Sequence, residues 1–273
     1  MNLYDRIFKP RPMTLSNGKV VYEKRSRTPL VLLILLLLTY GSMRMTGFSL
    51  YTLQERGVEF FNILGKIFHP NLSFMKHIWG PLFDTIKMSF LGSFCGAFFA
   101  MFFAYLASTN MIKSKFVVMP VRFLFSLIRT IPTLVNALIA TYIFGLGTLA
   151  GTIAIFLFSF SYVGKLMYEQ IETVDMGPFE AMMSMGFSKP RAFYHGILVQ
   201  ILPNYLSVSL YNFEGNVRYA AILGYVGAGG IGLMLSENIS WRQWDNVGTI
   251  LLAVFGTVFV IESISTHFRK KLN

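Results

Sequence analysis

An all-α fold that crosses a membrane about six times is predicted by three observations. Hydrophobic residues make up 54% of the 273-residue chain and charged residues 14%, with a mean hydropathy of +0.54, which is too apolar for a soluble domain of this length. Six apolar runs match the roughly 20 residues that a helix needs to cross a bilayer. Gly and Pro punctuate these runs at helical spacing, and the short alternating segments of an outer-membrane barrel are missing.

The chain opens with a basic leader, residues 1–28, carrying Arg6, Lys9, Arg11, Lys19, Lys24, Arg25 and Arg27. The first span, 29–46, starts at the leucine run of Leu30 to Leu38. No small-x-small cleavage site follows it, so this helix reads as retained rather than as a signal peptide. Between 50 and 80, Leu53, Phe60, Phe61, Leu64, Ile67 and Phe68 recur at near-helical spacing among charged residues. Either an amphipathic helix on the outer surface or a docking element for an extracytoplasmic partner fits that pattern. Residues 29–80 therefore group as a first membrane helix with an external segment, and 81–270 as a transmembrane domain.

The second span, 82–108, repeats Gly92, Gly96, Ala100 and Ala104 every four residues, a spacing that permits close helix approach. Which helix approaches is not fixed by the pattern, and a second subunit is one candidate. The third span, 117–145, holds Pro120 and Pro132, each of which removes a backbone donor, so it divides naturally into two shorter pieces. The fourth, fifth and sixth spans cover 148–168, 199–225 and 246–267.

Orientation follows from the cations, because cytoplasmic connections hold the excess of Lys and Arg. With the N-terminus inside, the cytoplasmic segments hold 15, among them Lys113, Lys115, Lys165, Lys189, Arg191 and Arg269, and the external segments four. Both termini are then cytoplasmic. The net charge of +11 reflects this bias and the attraction of anionic headgroups, so nucleic acid need not be invoked.

No catalytic, metal or cofactor site is expected. His69, His77, His195 and His267 are scattered, Cys95 is the only cysteine, and no Gly-Lys-Ser/Thr phosphate loop occurs. Residues 227–232 satisfy a dinucleotide-binding fingerprint letter by letter, but they follow a membrane helix instead of a strand. Gly227, Gly229, Gly230 and Gly232 read as a glycine-rich turn at the external end of the fifth span, for a gate, for close packing or for a binding-protein dock.

Glu214 and Arg218 lie four residues apart inside an apolar segment and so share a helix face. They either lock the helix as an internal ion pair or place Arg218 on the path of an anionic solute. Arg129 precedes the Ile131-Pro132 break, where it either meets an oxyanion with paired donors or snorkels or pairs elsewhere. Lys87 and Arg122, nearer span ends, are expected to snorkel.

Between the fourth and fifth spans, Pro178 opens a short helix, Glu180 puts a carboxylate in its first turn, and Gly186 stops it. Glu180-Ala181, then Gly186, then Pro203 resemble the cytoplasmic loop of ABC importer permeases. Met182 replaces the family's third-position alanine, and Val199 stands where its first re-entry proline falls. Ile128-Arg129-Thr130-Ile131-Pro132, Gly145 to Gly151, and Leu210 to Gly232 extend the resemblance to the phosphonate-importer permeases, the PhnE family, over roughly 80–270.

That resemblance implies a type I ABC importer permease-like core in a bacterial cell membrane. It also implies a second permease copy or a paralogue, two cytoplasmic ABC ATPase subunits that hydrolyse the ATP, and an extracytoplasmic substrate-binding protein. Glu180, Ala181 and Gly186, in a loop spanning 176–198, would couple to the ATPase. The cargo would be phosphonate or a related phosphorus oxyanion such as phosphate or phosphite. Methionine or another small solute is the rival cargo, and a stand-alone secondary transporter is the rival class.

Overall fold

A computed structural model describes residues 11–15, 18–23 and 28–272, in two compact units, 1–62 and 63–273. Arg6, Lys9, Lys24, Arg25 and Arg27 of the leader lie outside the described residues.

The first unit contains a hairpin that the sequence reading did not foresee. Strand β1 (Arg11–Thr14) pairs antiparallel with β2 (Val20–Glu23), Pro12 opposite Tyr22, through a turn in which Gly18 has φ +75°. Helix α1 (Thr28–Met45) follows; its leucines are exposed, as a face turned to lipid requires. Helix α2 (Leu50–Ile67) realises the near-helical spacing, with Leu53, Phe60 and Phe61 exposed.

In the second unit, a short 3-10 turn leads into α3 (Met75–Ala107), which packs along α6 (Thr148–Thr173). The small-residue repeat makes this contact, and its partner is a helix of the same chain. A Cβ on Gly92 would stand 2.7 Å from Ile155 Cγ2, and one on Gly96 2.7 Å from Ser159 Cβ and 2.8 Å from the Phe156 carbonyl oxygen. Ala100 and Ala104 continue the seam without exposed surface.

The third span is broken, as its prolines predict. Helix α4 (Lys115–Thr130) and α5 (Thr133–Phe144) meet at 92°. Ile131, forced out of the helical region by the following Pro132, is extended (φ −85°, ψ 122°). Pro120 leaves α4 intact in its second turn. Phe125 of α4 packs its ring against Gly164 of α6, where any side chain would collide with it.

Beyond α6 come α7 (Gly177–Ser184), the single turn α8 (Lys189–Ala192), a π-helical turn over Phe193–Leu198 and the long α9 (Val199–Leu223). A 3-10 turn at Gly224–Val226 leads to α10 (Gly230–Ser240), bent by 51° from the helical run before it, and α11 (Trp244–Leu272) closes the chain. Among the described residues, four helices are long and apolar enough to cross a membrane, or up to six if each bent pair is one span.

Three buried clusters follow this order. One joins α3, α4, α6 and the start of α9 around Phe125, Phe160 and Met167; the second joins Met88, Ile155 and Leu223; the third ties Ile78 and Leu82 to Ile231 and Ile250. Gly96→Val forces a branched side chain into backbone on α6 and should destabilise the protein by about 1–3 kcal/mol. Gly256→Ala, at a glycine with open space around it, should not. Thermal unfolding of both variants in detergent checks the pair.

Candidate functional site

The coupling candidates lie on α7. Pro178 sits in its first turn, Glu180 places a carboxylate near the helix N-terminus, and the Gly177 N–H bonds Asp175 Oδ1 at 3.0 Å. At the other end Gly186 adopts φ +86°. Its N–H bonds the Met183 carbonyl at 3.1 Å and the Phe187 N–H bonds the Met182 carbonyl at 3.2 Å. This pair of bonds is a Schellman cap, which needs a left-handed residue where Gly186 stands. Glu180, Ala181 and Ser184 are exposed, whereas Phe179 and Met176 pack on the first buried cluster.

The partner surface of α7 contains a residue that pattern reading missed. Gly196, in the π-helical turn, is buried against α7; a Cβ there would lie 2.9 Å from both Phe179 Cα and N. The only sequence signal was a lone glycine before the fifth span, and its need comes from a segment 17 residues away. Gln200 clamps the same junction by donating to the Asp175 and Gly196 carbonyls at 3.0 and 2.5 Å.

A second knot holds the last turn of α6, just before α7. Glu172 accepts from the Thr109 N–H at 2.7 Å, from the Thr109 hydroxyl and from Arg122 Nη2 at 2.5 Å. Arg122 Nε also donates to the Ala107 carbonyl at 2.8 Å, and the guanidinium lies 4.6 Å over the Tyr168 ring. Arg122 therefore does not snorkel; it binds α3, α4 and α6 together. Asn110 adds a 2.6 Å bond to the Ile171 carbonyl. Lys87 is exposed beside Asp84, 3.5 Å away.

The polar face of α9 is built in two parts. Toward α3 and α6, Asn212 donates to Ser159 Oγ at 2.8 Å, and Asn216 donates to Ser93 Oγ and Ser159 Oγ, both at 2.8 Å. Toward α11, Glu214 is only 4% exposed and accepts from Arg218, while Arg269 Nη2 stands 3.6 Å from its other oxygen. Arg218 also faces Glu262 at 3.6 Å. Two acids and two arginines thus close an electrically balanced cluster that anchors α9 to α11. Arg218, half exposed, lines a cavity of about 230 Å³ with Tyr162, Tyr211 and Tyr219.

Arg129 does not join that cluster. It ends α4 at the break and lines a different cavity of about 350 Å³ between α4 and α6.

The glycine turn sits at the end of α6 farthest from α7. Gly227, Gly229 and Gly230 all have positive φ, and the Gly227 carbonyl accepts from the Gly147 N–H at 2.9 Å. Thr85 Oγ1 accepts from the Ile231 N–H at 2.7 Å. A side chain at Gly232 would collide with the Ala221 carbonyl. The turn is therefore packed against the α5–α6 connection and α3, and it is a helix, α9, that leads into it. Among the described residues, no three His, Cys, Asp or Glu side chains gather as a metal site would require.

Known proteins are similar to this chain in sequence and in fold. The family described as binding-protein-dependent transport system inner membrane component matches residues 92–272. The chain is 32% identical over 208 residues to the phosphite transport system permease protein PtxC of Stutzerimonas stutzeri, covering 76% of each chain. It is 32% identical over 189 residues to the phosphate-import permease protein PhnE of Mycolicibacterium smegmatis, covering 69% of this chain and 36% of that one.

In fold it is similar to a chain of the inward-facing MetNI methionine ABC transporter, with TM-score 0.65, 18% identity, and coverage of 74% of this chain and 99% of that one. A chain of an amino acid ABC transporter crystallised with histidines gives TM-score 0.61, 23% identity, and coverage of 73% and 97%. The chain is a multi-pass membrane protein with a type I ABC importer permease fold, and it belongs to the inner membrane component family of binding-protein-dependent transport systems.

Proposed function

We propose that this permease imports a phosphorus oxyanion, phosphonate, phosphite or phosphate, powered by ATP hydrolysed in two separate cytoplasmic subunits and loaded by an extracytoplasmic binding protein. The observation that carries the cargo class is the similarity to a phosphite permease across three quarters of both chains. A second permease, either another copy or a paralogue, completes the pore. Both termini and α7 face the cytoplasm, consistent with the 15 cations in those segments against four outside.

In this reading Glu180, Ala181 and Gly186 form the coupling element. The exposed face of α7 seats in the ATPase, while Phe179, Gly196 and Gln200 hold its other face to the start of α9. When ATP binding draws the ATPase pair together, α7 moves with them, and the Arg122–Glu172 knot passes that displacement to α3 and α4. At the far end of α6 the packed glycine turn, Gly227 to Gly232, opens toward the binding protein. Residues 1–28 serve as a cytoplasmic leader, 29–80 as a first helix with an external amphipathic segment, and 81–270 as the transporting domain.

The decisive assay is ATPase activity of the purified complex with its binding protein, across phosphonates, phosphite, phosphate and methionine. Selective stimulation by a phosphorus oxyanion is expected. Stimulation by methionine alone would make this a sibling importer, and a preparation in which no ATPase copurifies and no ligand stimulates hydrolysis would leave a stand-alone carrier.

Gly186→Val must hold a β-branched residue at positive φ, at about 1–3 kcal/mol of strain, and should lower uptake per ATP hydrolysed. Gly186→Asn, which tolerates that conformation, should retain most of it; equal behaviour of the two variants in proteoliposome uptake would count against the capped turn as the coupling element. Gly196→Val should loosen α7 and raise deuterium exchange over 177–187 without a change in membrane insertion.

A further inference from the structure

The cavity at the end of α4 has a composition that the proposed cargo would need. Its wall includes Arg122, Ser126, Arg129, Thr130, Lys165 and Tyr168, and no carboxylate lines it. Three cations thus face one space. Arg122 is committed to Glu172 at 2.5 Å and to the Ala107 carbonyl. Lys165 is paired only loosely, 3.5 Å from Glu169 with both side chains nearly half exposed, an arrangement that holds a lysine weakly. Arg129 has no ion pair among the described residues.

The contrast with Arg218 is the basis of the assignment. Arg218 bonds Glu214 and faces Glu262 within a balanced set of charges, so an arriving anion gains little there without first breaking that set. At Arg129 a positive charge is uncompensated, a second is easily released, and the Ser126 and Thr130 hydroxyls stand on the same wall. Lys165 belongs to α6, eight residues before its end, and so about 12 Å along the helix from the cytoplasmic connection with which its charge was counted.

Resting on the oxyanion-import reading above, we propose that Arg129 and Lys165 form a transit site for a tetrahedral phosphorus oxyanion in the cytoplasmic half of the pathway, with the Ser126 hydroxyl as a further donor; the Thr130 hydroxyl already donates to the Leu127 carbonyl at 2.7 Å. Guanidinium offers paired N–H donors to two oxygens of such a group, and the ammonium answers a third as a point charge. Two sources supply this chemistry, the imported solute and the phosphate of a lipid headgroup, and the imported solute is the one assigned.

The test is uptake of radiolabelled phosphite and phosphate, with ATP hydrolysis measured in parallel, by the complete complex in proteoliposomes. Arg129→Gln and Lys165→Gln should each raise the ATP consumed per oxyanion delivered by about tenfold or more, the loss of one charged hydrogen bond. Arg129→Lys and Lys165→Arg should restore most of the ratio, and Lys87→Gln, outside the cavity, should leave it at the wild-type value. Wild-type ratios in both glutamine variants, with the wild type importing oxyanion, would overturn the site and leave the importer reading standing. A defect seen in phosphatidylglycerol vesicles but absent in vesicles of a phosphate-free glycolipid would assign the cavity to a headgroup and overturn it as a cargo site. A wild-type complex that moves no phosphorus oxyanion would remove the reading on which the site rests.

Discussion

The contact on which this structure depends is the side-chain-free approach of α3 to α6. Gly92 and Gly96 bring the two helices to within van der Waals reach of backbone, and a single methyl at either place would meet Ile155, Ser159 or the carbonyls beneath them. In a bilayer no hydrophobic effect drives helices together, so such packing and a few interhelical hydrogen bonds supply the cohesion. The same seam carries those bonds. Ser93 and Ser159, one on each helix, receive the Asn216 amide from α9 in a space with almost no exposure. Helix α6 thereby becomes an axis held on several sides, with the glycine turn at one end and α7 at the other.

An axis of this kind gives the two ends of the molecule a mechanical relation. At the α7 end, the arginine–glutamate knot and the Gly196 contact replace loose linkage with bonded and close-packed joints. At the other end, positive-φ glycines let the chain turn tightly against the α5–α6 connection. Along the face between them, the tyrosines and Arg218 line one cavity and Arg129 with Lys165 the next. The first is balanced in charge and the second is not, so the two basic positions are not equivalent for an anion.

Much of this was legible in the chain. The helical spans, the break before Pro132 and the stop at Gly186 follow from local rules: a proline biases its predecessor, and a glycine is the residue for a left-handed cap. Pro120 shows the limit of the same rule, since a proline in the second turn of a helix ends nothing. Contacts between distant residues were not legible. Glu214 gave away its partner at i+4, but Arg269 reaches it from 55 positions on, and Arg122 reaches Glu172 across 50. Gly196 looked like any glycine because the residue that demands it, Phe179, lies on another element. The α3 repeat announced close packing without naming α6, and Lys165 was counted with a loop because charge alone does not report depth. The leader's hairpin did carry a turn signal, the Asn17-Gly18 dipeptide ahead of the Val20 run, but it lies in a segment read for its charge, and it went unread.

The central claim is that α6 and α7 move as one piece. A chain with Cys95→Ser, Leu149→Cys and Ser184→Cys places spin labels at the far end of α6 and on the exposed face of α7, and their separation can be measured by pulsed electron resonance in the assembled transporter. The account predicts the same distance, to within about 2 Å, in the nucleotide-free and ATP-trapped states. A shift of about one helical turn, 5 Å or more, would mean that α7 swings on a hinge of its own and that α6 does not carry its motion.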